Sequence, residues 1–166
     1  MDKATQSKER LSEALMELLK TTSYGDVTVQ RVSDLAGVSR MAFYRNFDSM
    51  DDVIRYYLEK QTDRFLRDSH IEEEKTFGPV YFRKLIEHLS AIREVGQLLV
   101  DAGRFDLLRG EFDRIYTSKA GTHREWLRST FIAGGICNVY YSWLVNGCRD
   151  EPSELADVLE QVLNRL

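Results

Sequence analysis

Residues 28–47 read Thr-Val-Gln-Arg-Val-Ser-Asp-Leu-Ala-Gly-Val-Ser-Arg-Met-Ala-Phe-Tyr-Arg-Asn-Phe, and two short helical patterns meet in them at a glycine. Thr28 is placed to cap the first, whose short apolar stripe is Val32, Leu35 and Ala36. Gly37 stops that helix by accepting a backbone conformation that other residues resist. Val38 can then plug the corner, and Ser39 can cap a second helix that runs to Phe47. Two short helices joined by a tight glycine-containing turn form a helix-turn-helix, whose second helix enters the major groove of DNA. Phe43 and Phe47, four apart, are expected to face a core near Leu15 and Leu18. Ser39, Arg40, Met41, Ala42, Tyr44, Arg45 and Asn46 are left for the polar or near-surface positions.

The run Ala36-Gly37-Val38-Ser39-Arg40, followed by Phe43-Tyr44-Arg45-Asn46-Phe47, resembles the signature of the tetracycline-repressor (TetR) family of bacterial regulators. The resemblance extends over roughly residues 8–60, where Leu11, Leu15, Leu18, Thr28, Val32, Tyr44 and Phe47 also fall in place. Beyond about residue 65 only the general layout is similar. The resemblance implies an all-α homodimer: a three-helix DNA-binding domain over 1–48 and a helical ligand-binding and dimerisation domain over 49–166. It implies a transcriptional regulator, more often a repressor than an activator, that binds a palindromic operator in double-stranded DNA and responds to a small-molecule effector. By position in the family pattern, Arg40, Met41, Ala42 and Arg45 are expected at base edges, with Gln30 another candidate. Arg suits guanine, and a small side chain can meet a thymine methyl. Thr28, Ser39, Tyr44 and Asn46 are expected at phosphates, where contacts fix register. The chain departs from the family at the start of the fourth helix, where Met50 stands in place of a usual phosphate-binding Lys. Either the affinity for DNA is lower, or Lys3, Lys8 or Arg45 supplies that charge.

With 43% hydrophobic and 30% charged residues, the 166-residue chain has the composition of a globular protein rather than a disordered or membrane one. No apolar stretch approaches the ~20 residues of a membrane span, and the segment Met1–Lys8 lacks the apolar core of a secretory signal, so a cytoplasmic location is expected. Cys137 and Cys148, eleven residues apart on one helix or its end, would lie about 16 Å apart along the axis. Two reduced thiols are expected. The net charge is −4, and residues 1–60 carry nine basic against ten acidic side chains. Basic residues on the DNA side, among them Lys3, Lys8, Arg10, Arg31, Arg40 and Arg45, must therefore be separated from Asp51, Asp52 and Glu59 on the next helix.

Helical periodicity continues along the chain. A first helix is expected over about Thr5–Thr21, broken at Tyr24-Gly25-Asp26, and a long fourth one from Ser49 links the two domains. Residues 69–78 read as a connector, Val80–Ala102 as one helix, and Gly103 and Gly110 as the flanks of a shorter one that could continue to Tyr116. Residues 123–146 form a long apolar helix, and Pro152 opens the last. Gly134-Gly135 inside that long helix costs about 1 kcal/mol per Gly relative to Ala, for which close approach of another helix is one return. The last two helices resemble the pair that, in the family, builds a four-helix bundle across a two-fold axis; Ile136, Trp143, Leu155, Val158, Leu159, Val162 and Leu163 are the expected interface. The C-terminal half is aromatic-rich from Phe77 onward, and Phe82, His88, Trp126, Asn138 and Tyr140 are the expected pocket residues.

Catalysis is not expected. His70, His88 and His123 are scattered without metal-ligand spacing, and no phosphate loop or nucleophile elbow is present, so neither a metal nor a cofactor is implied. The alternative of another class is a helical adaptor that keeps the fold but works through protein contacts. The acidic balance and Met50 favour it; the Arg40–Asn46 face argues against it, since an adaptor has no use for Tyr44 and Arg45 beside a capped Ser39.

Overall fold

A computed structural model of the chain describes residues 3–70, 79–118 and 120–163. Most of the expected connector, together with Phe77, the side chain of Leu163 and Leu166, lies outside the described residues. The described elements are all helical: α1 (Lys3–Leu19), a 3-10 turn (Tyr24–Asp26), α2 (Val29–Ala36), α3 (Arg40–Asn46), α4 (Met50–Ser69), α5 (Pro79–Ala91), α6 (Arg93–Asp101), α7 (Phe105–Thr117), α8 (His123–Val145) and α9 (Pro152–Leu163). They divide into two compact units, Met1–Gln61 with Leu98–Leu108, and Thr62–Gln97 with Arg109–Leu166. The first unit takes in the start of α4 and a second, distant stretch of chain.

In the first unit α1 packs on α2 and α3, which pack on each other. Leu11, Leu15, Met16 and Leu19 of α1 close over Val32, Ala36, Phe43 and Phe47, all buried, with Val53, Ile54 and Leu58 of α4 completing the core. Leu35, expected in the α2 stripe, is instead exposed: only Val32 and Ala36, one turn apart, lie on the inward face. Gly37 ends α2 with φ +65°, and the Gly37 N–H donates to the Asp34 carbonyl while the Val38 N–H donates to that of Ser33. This left-handed closure is what turns the chain from α2 into α3, and only Gly enters it without a Cβ penalty.

The second unit is built around α5 against α9 and α8 against α9. Val80–Ala102, which reads as one helix, is two, α5 and α6, broken at Ile92. Backbone bonds from Ile92 to His88 and from Gly96 to Ile92 carry the helical ladder across the break, and neither Gly nor Pro marks it. α7 conversely passes through Gly110 without ending. Gly134 and Gly135 face no neighbour that an added Cβ would touch, so no close helix approach within this protomer explains them. Gly96 is the glycine at a close approach: a Cβ there would lie 2.7 Å from the Tyr140 hydroxyl and 2.9 Å from Leu144 Cδ1. Tyr140 cannot yield easily, because its buried hydroxyl donates to the Leu89 carbonyl at 3.0 Å. Gly96→Ala is therefore expected to destabilise by about 1–3 kcal/mol through overpacking, against the roughly 1 kcal/mol that Ala gains in helix propensity. A urea melt that keeps or raises the midpoint would show that the core has slack there.

Candidate DNA-binding surface

Both helices of the 28–47 segment are capped as their sequence dictates. The Thr28 hydroxyl accepts the Arg31 N–H at 3.3 Å, and the Ser39 hydroxyl accepts the Ala42 N–H at 3.1 Å. Those two side chains are thus engaged at the helix starts, with Ser39 and Thr28 both exposed. On α3 the buried Phe43 and Phe47 rings lie 6.1 Å apart and anchor the helix. The opposite face projects Arg40, Met41, Tyr44 and Arg45 to solvent, Tyr44 with 54% of its surface free. The Tyr44 ring stands edge-on to that of Phe43 at 5.5 Å, which limits its rotation. Ala42 is half-buried. Asn46, also half-buried, donates its side-chain amide to the Ala42 carbonyl at 2.7 Å, so a phosphate contact from Asn46 would require that bond to break. Gln30 is exposed and donates to Asp34 Oδ1 at 2.6 Å.

Asp51 and Asp52, in the first turn of α4, are engaged locally. The Ser49 hydroxyl caps α4, accepting the Asp52 N–H and donating to Asp52 Oδ2, and Arg55 donates to Asp52 Oδ1 at 2.7 Å. These bonds, the Ser49 hydroxyl first, hold the Asp52 carboxyl below its ordinary range. Asp51 accepts the Tyr24 hydroxyl and Arg104 Nε on a single oxygen. Lys8 is half-buried with its ammonium over the Phe47 and Tyr56 rings at 5.8 and 5.6 Å, and Arg31 donates to the Thr22 hydroxyl at 3.0 Å. Arg40 and Arg45 are the cations that α3 itself presents.

The expected pocket residues separate into two groups. Phe82 and Tyr140 are fully buried in the core of the second unit, whereas Trp126 and Asn138 are exposed on α8. Asn138 accepts a hydrogen bond from Arg109 at 2.7 Å and lines an open groove of about 500 Å³ with Trp143, Glu154 and Val158. His88 lies stacked on Phe65 with centroids 4.0 Å apart, and burial pushes its imidazole down to about 4. Beside it in the same unit, the Tyr81 and Tyr116 hydroxyls bond each other, both driven up by burial. The expected dimer residues divide as well. Ile136 and Trp143 of α8 and Leu155 and Leu159 of α9 are buried within their own unit, whereas Val158 and Val162 of α9 are exposed. Cys137 is a buried free thiol whose ionisation burial pushes up to about 11, and Cys148 is a half-buried one just beyond α8. Among the described residues no helix is long and apolar enough to cross a membrane.

Sequence reasoning missed the Tyr24–Asp51–Arg104 cluster. Tyr24 reads as part of a helix break and Arg104 as a residue after a turn glycine, and their pairing spans separations that no local pattern reports.

A capped glycine-turn helix pair with an exposed basic and aromatic second helix defines a helix-turn-helix protein of the all-α class. Residues 11–57 match the family of bacterial regulatory proteins, tetR family. No curated protein matches the chain. Among solved structures, a TetR transcriptional regulator from Streptococcus agalactiae 2603V is 20% identical with a TM-score of 0.62, over 96% of this chain and 94% of that one. The fatty acid degradation regulator FadR from Bacillus halodurans is 17% identical with a TM-score of 0.60, over 95% and 94%. The dihydroxyacetone kinase operon activator DhaS is 14% identical with a TM-score of 0.60, over 96% and 94%. At these identities the likeness is one of fold. The N-terminal helices thus match the tetR family over residues 11–57, and the chain shares the fold of these regulators along nearly all of its length.

Proposed function

We propose that the protein is a cytoplasmic, sequence-specific DNA-binding transcriptional regulator that acts as a homodimer on a palindromic operator. The observation that carries this reading is the α3 face: Arg40, Met41, Tyr44 and Arg45 stand exposed on a helix anchored by Phe43 and Phe47 and capped by the Ser39 hydroxyl. A side chain that served only stability would have no reason to project there. In the bound complex Arg40, Met41, Ala42 and Arg45, with Gln30, meet base edges, while Tyr44 and the capped Thr28 and Ser39 meet phosphates.

An exposed apolar seam on α8 supports the dimer. Leu127, Phe131, Gly134, Asn138, Tyr141 and Val145 recur at alternating spacings of four and three, and four of them are large exposed apolar residues, Phe131 at 64%. Val158 and Val162 add exposed apolar surface on α9. A second copy covers this face, and Gly134 allows the two helices to come close. The regulator is a repressor relieved by a small-molecule effector that would meet the polar groups of the second unit's core, His88 foremost. The solved activator DhaS shows that this fold also serves the opposite sign.

The test is selection of genomic fragments by the purified protein at two salt concentrations, repeated with Tyr44→Ala and Arg40→Ala. A short palindrome is expected, lost with Tyr44→Ala. Arg40→Ala should cost about 1–3 kcal/mol at one base position if Arg40 reads a guanine; an equal loss on every sequence would make it a phosphate contact. If a folded dimer enriches nothing with any candidate effector present, the adaptor takes precedence.

A further inference from the structure

We propose that Arg104 is a positioning residue for the helix-turn-helix, holding the entry and exit of residues 28–47 together through Tyr24 and Asp51; as a statement about DNA recognition it rests on the function proposed above. Tyr24 stands in the 3-10 turn that leads through Val27 into the Thr28 cap of α2. Asp51 stands in the first turn of α4, just past the Phe47–Ser49 link that leaves α3. The Tyr24 hydroxyl donates to Asp51 Oδ1 at 2.5 Å across 27 residues, so one side-chain bond ties the two ends of the motif.

Arg104 completes the tie from a distant part of the chain. Its Nε donates to the same Asp51 oxygen at 3.0 Å, and its guanidinium lies 4.5 Å from the centre of the Tyr24 ring, so it grips both partners at once. The backbone beneath it is itself fixed: the Arg104 N–H donates to the Leu99 carbonyl and that of Gly103 to Val100, closing the end of α6. Leu99, Leu107 and Leu108 around it are buried, and residues 98–108 belong to the same compact unit as α1 to α3. The stakes follow from helix length. α2 and α3 have eight and seven residues, and helices this short do not persist without tertiary restraint. The charges also balance here: the guanidinium cancels the negative charge of the Asp51 carboxylate in the first turn after the α3 exit.

Amide hydrogen exchange on the full-length protein without DNA tests the proposal. Arg104→Ala is expected to speed exchange across residues 28–47 about tenfold while the amides of α8 and α9 keep their protection. Arg104→Lys, whose ammonium can still reach the carboxylate, should recover part of it. Tyr24→Phe removes only the hydroxyl, should act in the same direction, and decides the matter if Arg104→Ala does not fold. Unchanged protection at 28–47, or an equal loss throughout the chain, overturns the assignment. On DNA recovered by fragment selection, Arg104→Ala should weaken binding about tenfold with the slope of log affinity against log salt unchanged; a slope reduced by about one would make Arg104 a phosphate contact instead. If the protein selects no DNA, the proposed function fails alone, and the exchange result still stands for or against Arg104.

Discussion

Replacing Phe43 with Ala is expected to cost about 3–5 kcal/mol, the usual range for deleting a fully buried phenylalanine, and so to dismantle the helix-turn-helix. Phe43 is 1% exposed, the most enclosed side chain of α3, with Phe47 its ring neighbour. A domain's total stability is about 5–15 kcal/mol, and a unit with so small a core sits toward the low end. The two tryptophans, Trp126 and Trp143, both lie in α8, in the other compact unit. In a urea titration of Phe43→Ala, the helical circular dichroism should therefore lose an early component while tryptophan fluorescence holds its wild-type midpoint. Met41→Ala on the exposed face of the same helix should shift neither by more than about 0.5 kcal/mol. If Phe43→Ala melts like the wild type by both probes, α3 is not anchored through Phe43.

The same contrast shows what the sequence could reveal. The segment 28–47 is legible because its determinants are local: a hydroxyl before each helix, a glycine at the corner and two phenylalanines one turn apart. Local rules also yield Pro152 at the start of α9, and the Thr122–Glu125 capping box that opens α8 is equally local. They fail where long-range packing decides. The break at Ile92 has no stop signal, and apolar periodicity runs straight across it. The period also marks α8 as apolar on several sides without saying which side turns inward, so Ile136 and Trp143 read as interface while they are buried within their own unit, and Trp126 reads as a pocket aromatic while it is exposed. Asn46 illustrates a smaller limit. Its residue type suits a DNA contact, but four residues back an open carbonyl competes for its amide, and in the free protein that bond is made.

Charge raises a related point, because a head with ten acidic and nine basic side chains is a poor polyanion binder by count alone. Count is the wrong measure here. Asp34, Asp51 and Asp52 each accept a hydrogen bond from a neighbouring side chain, while Arg40 and Arg45 stand on the exposed face of α3. Hydrogen bonding and pairing mute these three acids, and the two arginines keep their charge where phosphate and guanine would meet it. Lys8, packed over two rings, adds positive charge whose stem is already ordered, so little side-chain entropy would be lost on contact.

Phe131→Glu is expected to convert the proposed dimer into a monomer of 19.3 kDa without unfolding it. Phe131 exposes 64% of its surface, so an isolated chain tolerates a carboxylate there, and the effect on protomer stability should stay within about 0.5 kcal/mol. In a dimer built on the Leu127–Val145 seam, two-fold symmetry brings the same patch of both copies together, and the substitution buries two unpaired charges at once. Operator affinity should then fall by about 10²–10⁴, because each half-site must be held without the other. Ile136→Glu, five residues along the same helix, supplies the control. Ile136 has no exposed surface, so its replacement should collapse the second unit rather than dissociate an intact one. Light scattering and circular dichroism on the two variants separate face from core. A Phe131→Glu protein that keeps twice the chain mass would move the dimer contact off this seam, whereas a wild-type protein of single mass would leave the seam open and require a palindromic operator to assemble the pair.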